Sequence, residues 1–480
     1  MSLLHAGLYA WVLGVVVLVL MVVSLAQVRG VKTKADYLIA GRSLPAFVLV
    51  FTLLSSWIGA GSLFAGAENA YRNGFGALWQ PAGGWVGLLL IYFIAPRARK
   101  FAQFTIPDLL EARYNQTARV LGVIAILFAY TAIASYQLRG GGDILHLIFP
   151  ALTSTTGMYI IAGFVIAFTA LAGMASVAYM DVAIGLLVTV ALIVSIPILL
   201  DHVGGMAGLH AALPATHFQV LGSISFARAM EFFLPTMLLM LGNQAMYQKF
   251  FSAKSERDAR VAVVGWIFGT VILETIIVAI AVIGSALYST GEVSQRPREI
   301  IAYTARHGLP AMLGALLLGA VFAKVISTAN NYLFSPATNL VNDVFLRYIR
   351  PDASNKSILL VSRLVVVGLG IWALLQGAYT QSILAKALYA YTIYSAALTP
   401  VILAAFYSRR INSQGAVSCI VAGTFVTVFW DTSFVHHHLP AFIANRDATF
   451  PALLVSLICL FAVSWLTPPP PREKVAQFLS

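Results

Sequence analysis

Between residues 6 and 467 the chain passes through one apolar stretch after another, near 6–28, 43–69, 75–96, 118–146, 156–175, 178–200, 225–248, 260–287, 309–339, 358–378, 382–407, 415–432 and 450–467. Each is of the order of the roughly 20 residues that an α-helix needs to cross the hydrocarbon core of a bilayer. A backbone amide finds no water there, so only helices and closed barrels span it, and runs of this length select helices. The sequence therefore predicts an all-α polytopic membrane protein of about thirteen transmembrane helices, a single membrane domain over 1–480. Composition agrees: 60% of the residues are hydrophobic and 10% charged, against about a quarter charged in a soluble domain. Residues 1–28 have no basic segment ahead of their apolar part, so they read as a retained first helix and not as a cleaved signal.

The formal charge is +12, with the basic residues in short clusters between apolar runs. There is no aromatic-basic stripe of the kind that binds nucleic acid. Counted over alternate connections, 21 lysines and arginines, from Arg29, Lys32, Lys34 and Arg42 to Arg472 and Lys474, fall on one side. Seven fall on the other: Arg72, Arg139, Arg228, Arg296, Arg298, Arg306 and Arg446. The positive-inside rule makes the richer side cytoplasmic, with the N-terminus outside and the C-terminus inside the cell (inner) membrane. Cys419 and Cys459 lie within apolar runs and read as packing residues. His436, His437 and His438 fall in an outer connection and read as part of an exposed polar loop. No nucleophile–base set, metal-ligand cluster or phosphate loop is apparent, so neither an enzyme nor an organic cofactor is expected. The tail after residue 468 is too short for a signalling domain, so a membrane sensor would need a separate partner protein.

Two runs break their own helical pattern. The second contains Ser55-Ser56-Trp57-Ile58-Gly59-Ala60-Gly61-Ser62, and the seventh has Pro235 followed by Gly242-Asn243-Gln244 before Tyr247. Irregular backbone at membrane depth is tolerated only where protein or a water-lined cavity satisfies its amides, so both breaks are candidate sites. They lie five spans apart. Two inverted five-helix repeats, 43–200 and 225–407, would bring the broken helices together near the midplane, with 6–28 and 415–467 as additions. The ninth run adds a polar stripe at helical spacing, Lys324, Ser327, Thr328, Asn331, Ser335 and Thr338, which must face the bundle interior. Asp181, Glu274 and Lys324 are ionisable groups at membrane depth, where charge is costly and usually functional.

Several stretches resemble the sodium/solute symporter family, which includes bacterial proline, sialic acid and sugar symporters. They are Ala35-Asp36-Tyr37-Leu38-Ile39-Ala40-Gly41-Arg42-Ser43-Leu44-Pro45, Thr105-Ile106-Pro107-Asp108-Leu109-Leu110-Glu111-Ala112-Arg113-Tyr114, Gln248-Lys249 with Ala253-Lys254-Ser255, and Asn342-Asp343-Val344-Phe345 with Arg350-Pro351-Asp352-Ala353-Ser354. The resemblance implies a ten-helix inverted-repeat core of the amino acid–polyamine–organocation/neurotransmitter-symporter type and sodium-driven solute uptake by alternating access. It also implies a sodium site from the carbonyls of Ser55, Ile58 and Lys324 with the hydroxyls of Ser327 and Thr328, and a further cation near Asp181. The solute, an amino acid, carboxylate or sugar, would lie near Gly59, Gln80, Asn243, Gln244 and Tyr247. Two positions depart from the family pattern: Lys324 stands where a small residue is common, and Asn330 and Asn331 where small hydroxyl residues are common. Lys324 as a cation surrogate would make transport sodium-independent or proton-coupled.

Overall fold

A computed structural model describes residues 3–28, 33–101, 105–171, 174–430, 432–444 and 446–479. Of the basic clusters, Arg29 and Lys32 and the side chains of Lys34, Arg99 and Lys100 lie outside the described residues, as does the side chain of His436. Helices occupy the apolar runs in order: α1 (Leu3–Val28), α2 (Ala46–Trp57), α3 (Ala67–Asn73), α4 (Trp79–Phe101), α5 (Gln116–Ile148), α6 (Ser154–Leu171), α7 (Met174–His202), α8 (Phe226–Gly242) and α9 (Gln244–Ser252). They continue with α10 (Glu256–Leu287), α11 (Ala311–Asn339), α12 (Asn355–Ala378), α13 (Ile383–Ile393), α14 (Thr399–Tyr407), α15 (Ser413–Phe429) and α16 (Thr449–Leu466). Among the described residues, nine helical stretches are long and apolar enough to cross a membrane, and three shorter apolar helices, Gly7–Val23, Ala46–Trp57 and Ser413–Phe429, accompany them.

Burial is inverted relative to a water-soluble protein. Large apolar side chains such as Leu18, Phe93, Phe268 and Trp465 are exposed, while Ser55, Asp181, Asn243, Lys249 and Lys324 are wholly buried. Exposed apolar area on this scale has hydrocarbon as its partner. At the centre stands α11, buried without interruption from Leu317 to Asn339 and packed against α1, α5 and α7. Its stripe of Lys324, Ser327, Thr328, Asn331, Ser335 and Thr338 is buried throughout, so the polar face read from the sequence is an internal one. Opposite it, α5 is buried continuously from Ala129 to Leu138.

Both anticipated breaks are present. α2 stops at Ile58, whose φ of −77° and ψ of 110° are extended, and the chain turns helical again from Gly61 through a π-type turn over Gly61–Gly66. α8 stops at Asn243, φ −68° and ψ 112°, and α9 begins at once with the Asn243 side chain accepting from the Ala245 N–H at 3.0 Å. Gly242 is required there, because a Cβ would lie 2.4 Å from the Thr399 hydroxyl.

Candidate solute and cation site

A helix break leaves carbonyls without their amide partners. At the break after α2 these are the carbonyls of Ser55 and Ile58, and both accept from the Thr328 hydroxyl on α11, at 2.9 and 3.1 Å. The same hydroxyl lies 2.9 Å from the Lys324 carbonyl one turn back on its own helix. The Ala60 N–H donates to Gln137 Oε1 on α5 at 2.7 Å. Thus the carbonyls of Ser55, Ile58 and Lys324 converge on the Thr328 hydroxyl, which brings together four of the oxygens implied by the family resemblance. Oxygen donors at such spacing suit a hard cation, which prefers carbonyl and hydroxyl ligands.

Ser327 is turned elsewhere: its hydroxyl donates to Asp181 Oδ1, and Thr52 donates to Asp181 Oδ2 at 2.5 Å. The Lys324 ammonium donates to Ser55 Oγ at 2.8 Å. A second ammonium enters from α9, where Lys249 donates to Ser56 Oγ and to Asn331 Oδ1 at 2.6 Å. Asp181 has both ammonium groups in its electrostatic neighbourhood and makes no ion pair within 4.0 Å with either. Two lysines and one carboxylate are thereby buried together. Lys249 was counted with the cytoplasmic surface charges in the sequence; the structure corrects this, since the residue is fully buried. Its position directly after an apolar run was the one available signal.

The residues read as solute-binding separate into two groups. Gln80 lines a narrow cavity beside the break of α2, together with Trp57, Ser62, Glu274, Ile277 and Tyr391. Gly59 sits behind that wall, packed against Thr328 and Gln137. The other three tie the second break together. Asn243 accepts from the Tyr130 hydroxyl at 2.7 Å and donates to the Tyr332 hydroxyl at 3.0 Å. Gln244 Oε1 accepts from the Ile106 N–H at 2.5 Å, and the Tyr247 hydroxyl donates to the Leu241 carbonyl at 3.0 Å. Trp57 and Tyr391 were not singled out in the sequence, since aromatic residues in apolar runs carry no pattern of their own.

Ion pairs lie toward both ends of the bundle. Near the start of α5, Arg119 pairs with Asp108 and lies 2.5 Å from Glu111. Near its end Asp143 lies 3.1 Å from Arg298. These two charged residues of α5, Arg119 and Asp143, 24 residues apart, are separated by about 36 Å at the helical rise. Next to the second cluster opens a wider space of about 440 Å³ lined by His146, Arg296, Glu299 and Arg306.

Broken helices meeting at a buried polar centre, with ion pairs toward both ends, are the features of a membrane transporter. The sequence model of the sodium:solute symporter family matches residues 37–423, and the chain belongs to that family. Accordingly it is no enzyme but a secondary transporter that works by sodium-coupled symport and alternating access. Among its relatives, a high-affinity proline transporter of Bacillus subtilis (strain 168) is 25% identical over 472 residues, covering 92% of this chain and 95% of that one. A sodium/proline symporter of Staphylococcus aureus is 24% identical, covering 94% and 91%. Among solved structures, a Na+-coupled sialic acid symporter in a substrate-bound outward-open state matches with a TM-score of 0.82 at 16% identity, over 96% of this chain and 98% of that one. Mhp1, a nucleobase-cation-symport-1 family transporter in a closed conformation with bromovinylhydantoin bound, matches with a TM-score of 0.61 at 14% identity, over 91% and 96%. These likenesses concern the fold.

Proposed function

We propose that the chain carries a small organic solute, held in the cavity beside the break of α2, together with sodium held by the carbonyls of Ser55, Ile58 and Lys324 and the hydroxyl of Thr328. The observation that carries this reading is the meeting of those three carbonyl oxygens within about one hydrogen-bond length of Thr328 Oγ1, next to a cavity whose wall includes Trp57 and Ser62 from the two sides of the same break. A cation there would join α2 to α11, and a solute would join α2 to α10 and α13. Alternating access then follows as relative movement of these elements about a shared centre. The relatives' solutes, proline and sialic acid, support a small organic molecule. The two breaks fall at equivalent places in the proposed repeats 43–200 and 225–407, as midplane sites in inverted-repeat transporters do.

Uptake into proteoliposomes, titrated with sodium against choline, tests the cation half of this reading. Thr328→Ala removes one ligand and is expected to weaken apparent sodium affinity by about 5-fold, the equivalent of about 1 kcal/mol. An unchanged sodium titration in Thr328→Ala would refute it. A second reading rests on Lys324, whose buried ammonium reaches Ser55 Oγ beside the same oxygens. An ammonium tethered there stands in for one bound cation and lowers the sodium requirement. In that case Lys324→Ala steepens the dependence on sodium; identical dependence in parent and variant rejects the surrogate role.

A further inference from the structure

Glu274 is the acidic group of the cavity. It sits in the middle of α10, 5% exposed, and its Oε1 accepts from the Trp57 indole N–H at 2.9 Å and from the Ser62 hydroxyl at 3.0 Å. Both donors flank the break of α2. Its second oxygen, Oε2, is buried and has no hydrogen-bond partner. The Trp85 indole N–H lies beside the same carboxylate but also meets no acceptor at hydrogen-bonding geometry. Across the cavity the Gln80 Oε1 is likewise buried and unpartnered. Two acceptors facing one space thus lack donors, and buried acceptors without donors are costly.

The walls suit the same kind of visitor. Among the described residues, no lysine, arginine or histidine lines the cavity. Trp57 and Tyr391, both lining it, have ring centroids 6.2 Å apart at an interplanar angle of 27°, and the faces of such rings attract cations. An anionic group entering here would meet a carboxylate and no counter-charge. A protonated amine would supply donors to Glu274 Oε2 and Gln80 Oε1 and lie against aromatic faces.

We infer that the part of the solute seated in this cavity carries a cationic nitrogen, a primary or secondary ammonium, recognised by Glu274 with Gln80 and the Trp57–Tyr391 wall. This rests on the cavity being the solute site proposed above. The space in this state is about 20 Å³, room for little more than a water, so admission of the solute requires the wall to part, and the ordered charge pair forms as it closes again.

The test is a thermal-shift and uptake screen of the purified full chain against amine-bearing solutes and amine-free counterparts of matched size. One matched pair is proline against tetrahydrofuran-2-carboxylate, in which an ether oxygen replaces the ring nitrogen; galactose and sialic acid complete the amine-free set. Stabilisation and uptake are expected from amine-bearing members and not from their counterparts. A screen in which no amine-bearing solute binds, or in which the amine-free set binds as well, overturns the inference. For the solute found, Glu274→Gln keeps an acceptor for Trp57 and Ser62 while removing the charge, and affinity should fall at least about 10-fold, with partial recovery in Glu274→Asp. Gln80→Ala and Tyr391→Leu separate the two claims. If they weaken binding while Glu274→Gln does not, the cavity is the site and the cationic nitrogen is wrong. If all of these variants bind like the parent, the solute lies elsewhere and the proposed site itself fails. Melting of each variant without solute shows whether it is folded.

Discussion

Replacing Gly59 by alanine probes the join between α2 and α11 directly. The new Cβ would lie 2.7 Å from Thr328 Oγ1, 2.8 Å from Thr328 Cγ2 and 2.9 Å from Gln137 Nε2, all closer than a methyl group tolerates. Neither neighbour can turn away freely. Thr328 Oγ1 is held against three carbonyls, and Gln137 Oε1 accepts the Ala60 N–H. Overpacking of this kind costs about 1–3 kcal/mol, and rotating Thr328 would orphan buried carbonyls at a further cost of about 1–3 kcal/mol; with partial relaxation a loss of about 2–4 kcal/mol is expected. Gly163 is the control, since a Cβ there meets no heavy atom within 4 Å and alanine gains helix propensity, about 1 kcal/mol. In a Thr328→Ala background two of the three clashing atoms are gone, so Gly59→Ala should then cost only about 1 kcal/mol, a coupling of about 1–3 kcal/mol between the sites. Thermal unfolding of the four proteins of this cycle measures the coupling, and sodium-titrated uptake reads its effect on the cation site. Equal costs of Gly59→Ala in both backgrounds, or a cost no larger than that of Gly163→Ala, would refute the packing argument.

Asn243→Ala should lower stability by about 1–3 kcal/mol, because it removes the acceptor of the buried Tyr130 hydroxyl and the donor to the buried Tyr332 hydroxyl; unfolding midpoints equal to the parent's would show that the second break does not depend on this side chain. Cysteines at Asp352 and Ser382, exposed at opposite ends of α12, should react with impermeant maleimide from the cytoplasmic and the outer side respectively, in a background lacking Cys459; reaction of both from one side would reject the orientation drawn from the basic residues. Glu299, in the connection before α11, has its carboxyl pushed up to about 7, by burial first and then by Asp143, against the opposing pull of Arg298 and Arg296. The folded protein therefore keeps a proton that the unfolded chain releases near 4.5, and stability should fall by on the order of 2 kcal/mol as pH rises from about 4.5 through 7. Glu299→Gln should flatten that fall; an equal slope in the variant would assign it to another group.

The long apolar runs, the breaks at Ile58–Gly59 and Gly242–Asn243 and the polar stripe of α11 are properties of local sequence, because hydrocarbon leaves a chain few ways to satisfy its amides and because a helix repeats its faces every three to four residues. They could be read without coordinates, and so could the family motifs. What each polar group does was not local. Asn243 has the chemistry of a solute ligand, yet the hydroxyls of Tyr130 and Tyr332 take up its amide, while in Gln244 the Ile106 N–H takes up Oε1 and Nε2 has no partner among the described residues. Lys249 looks like one more cytoplasmic charge until the fold buries it against Ser56 and Asn331. Glu274 stands 217 residues from Trp57 and 212 from Ser62, and only the packing of α10 across the broken helix leaves one of its oxygens occupied and the other open. Local sequence sets which segments are helices, where they fail and which residues can bear charge. Which of those charges find partners inside the protein depends on distances between helices far apart in the chain, and so appears only once the helices are packed.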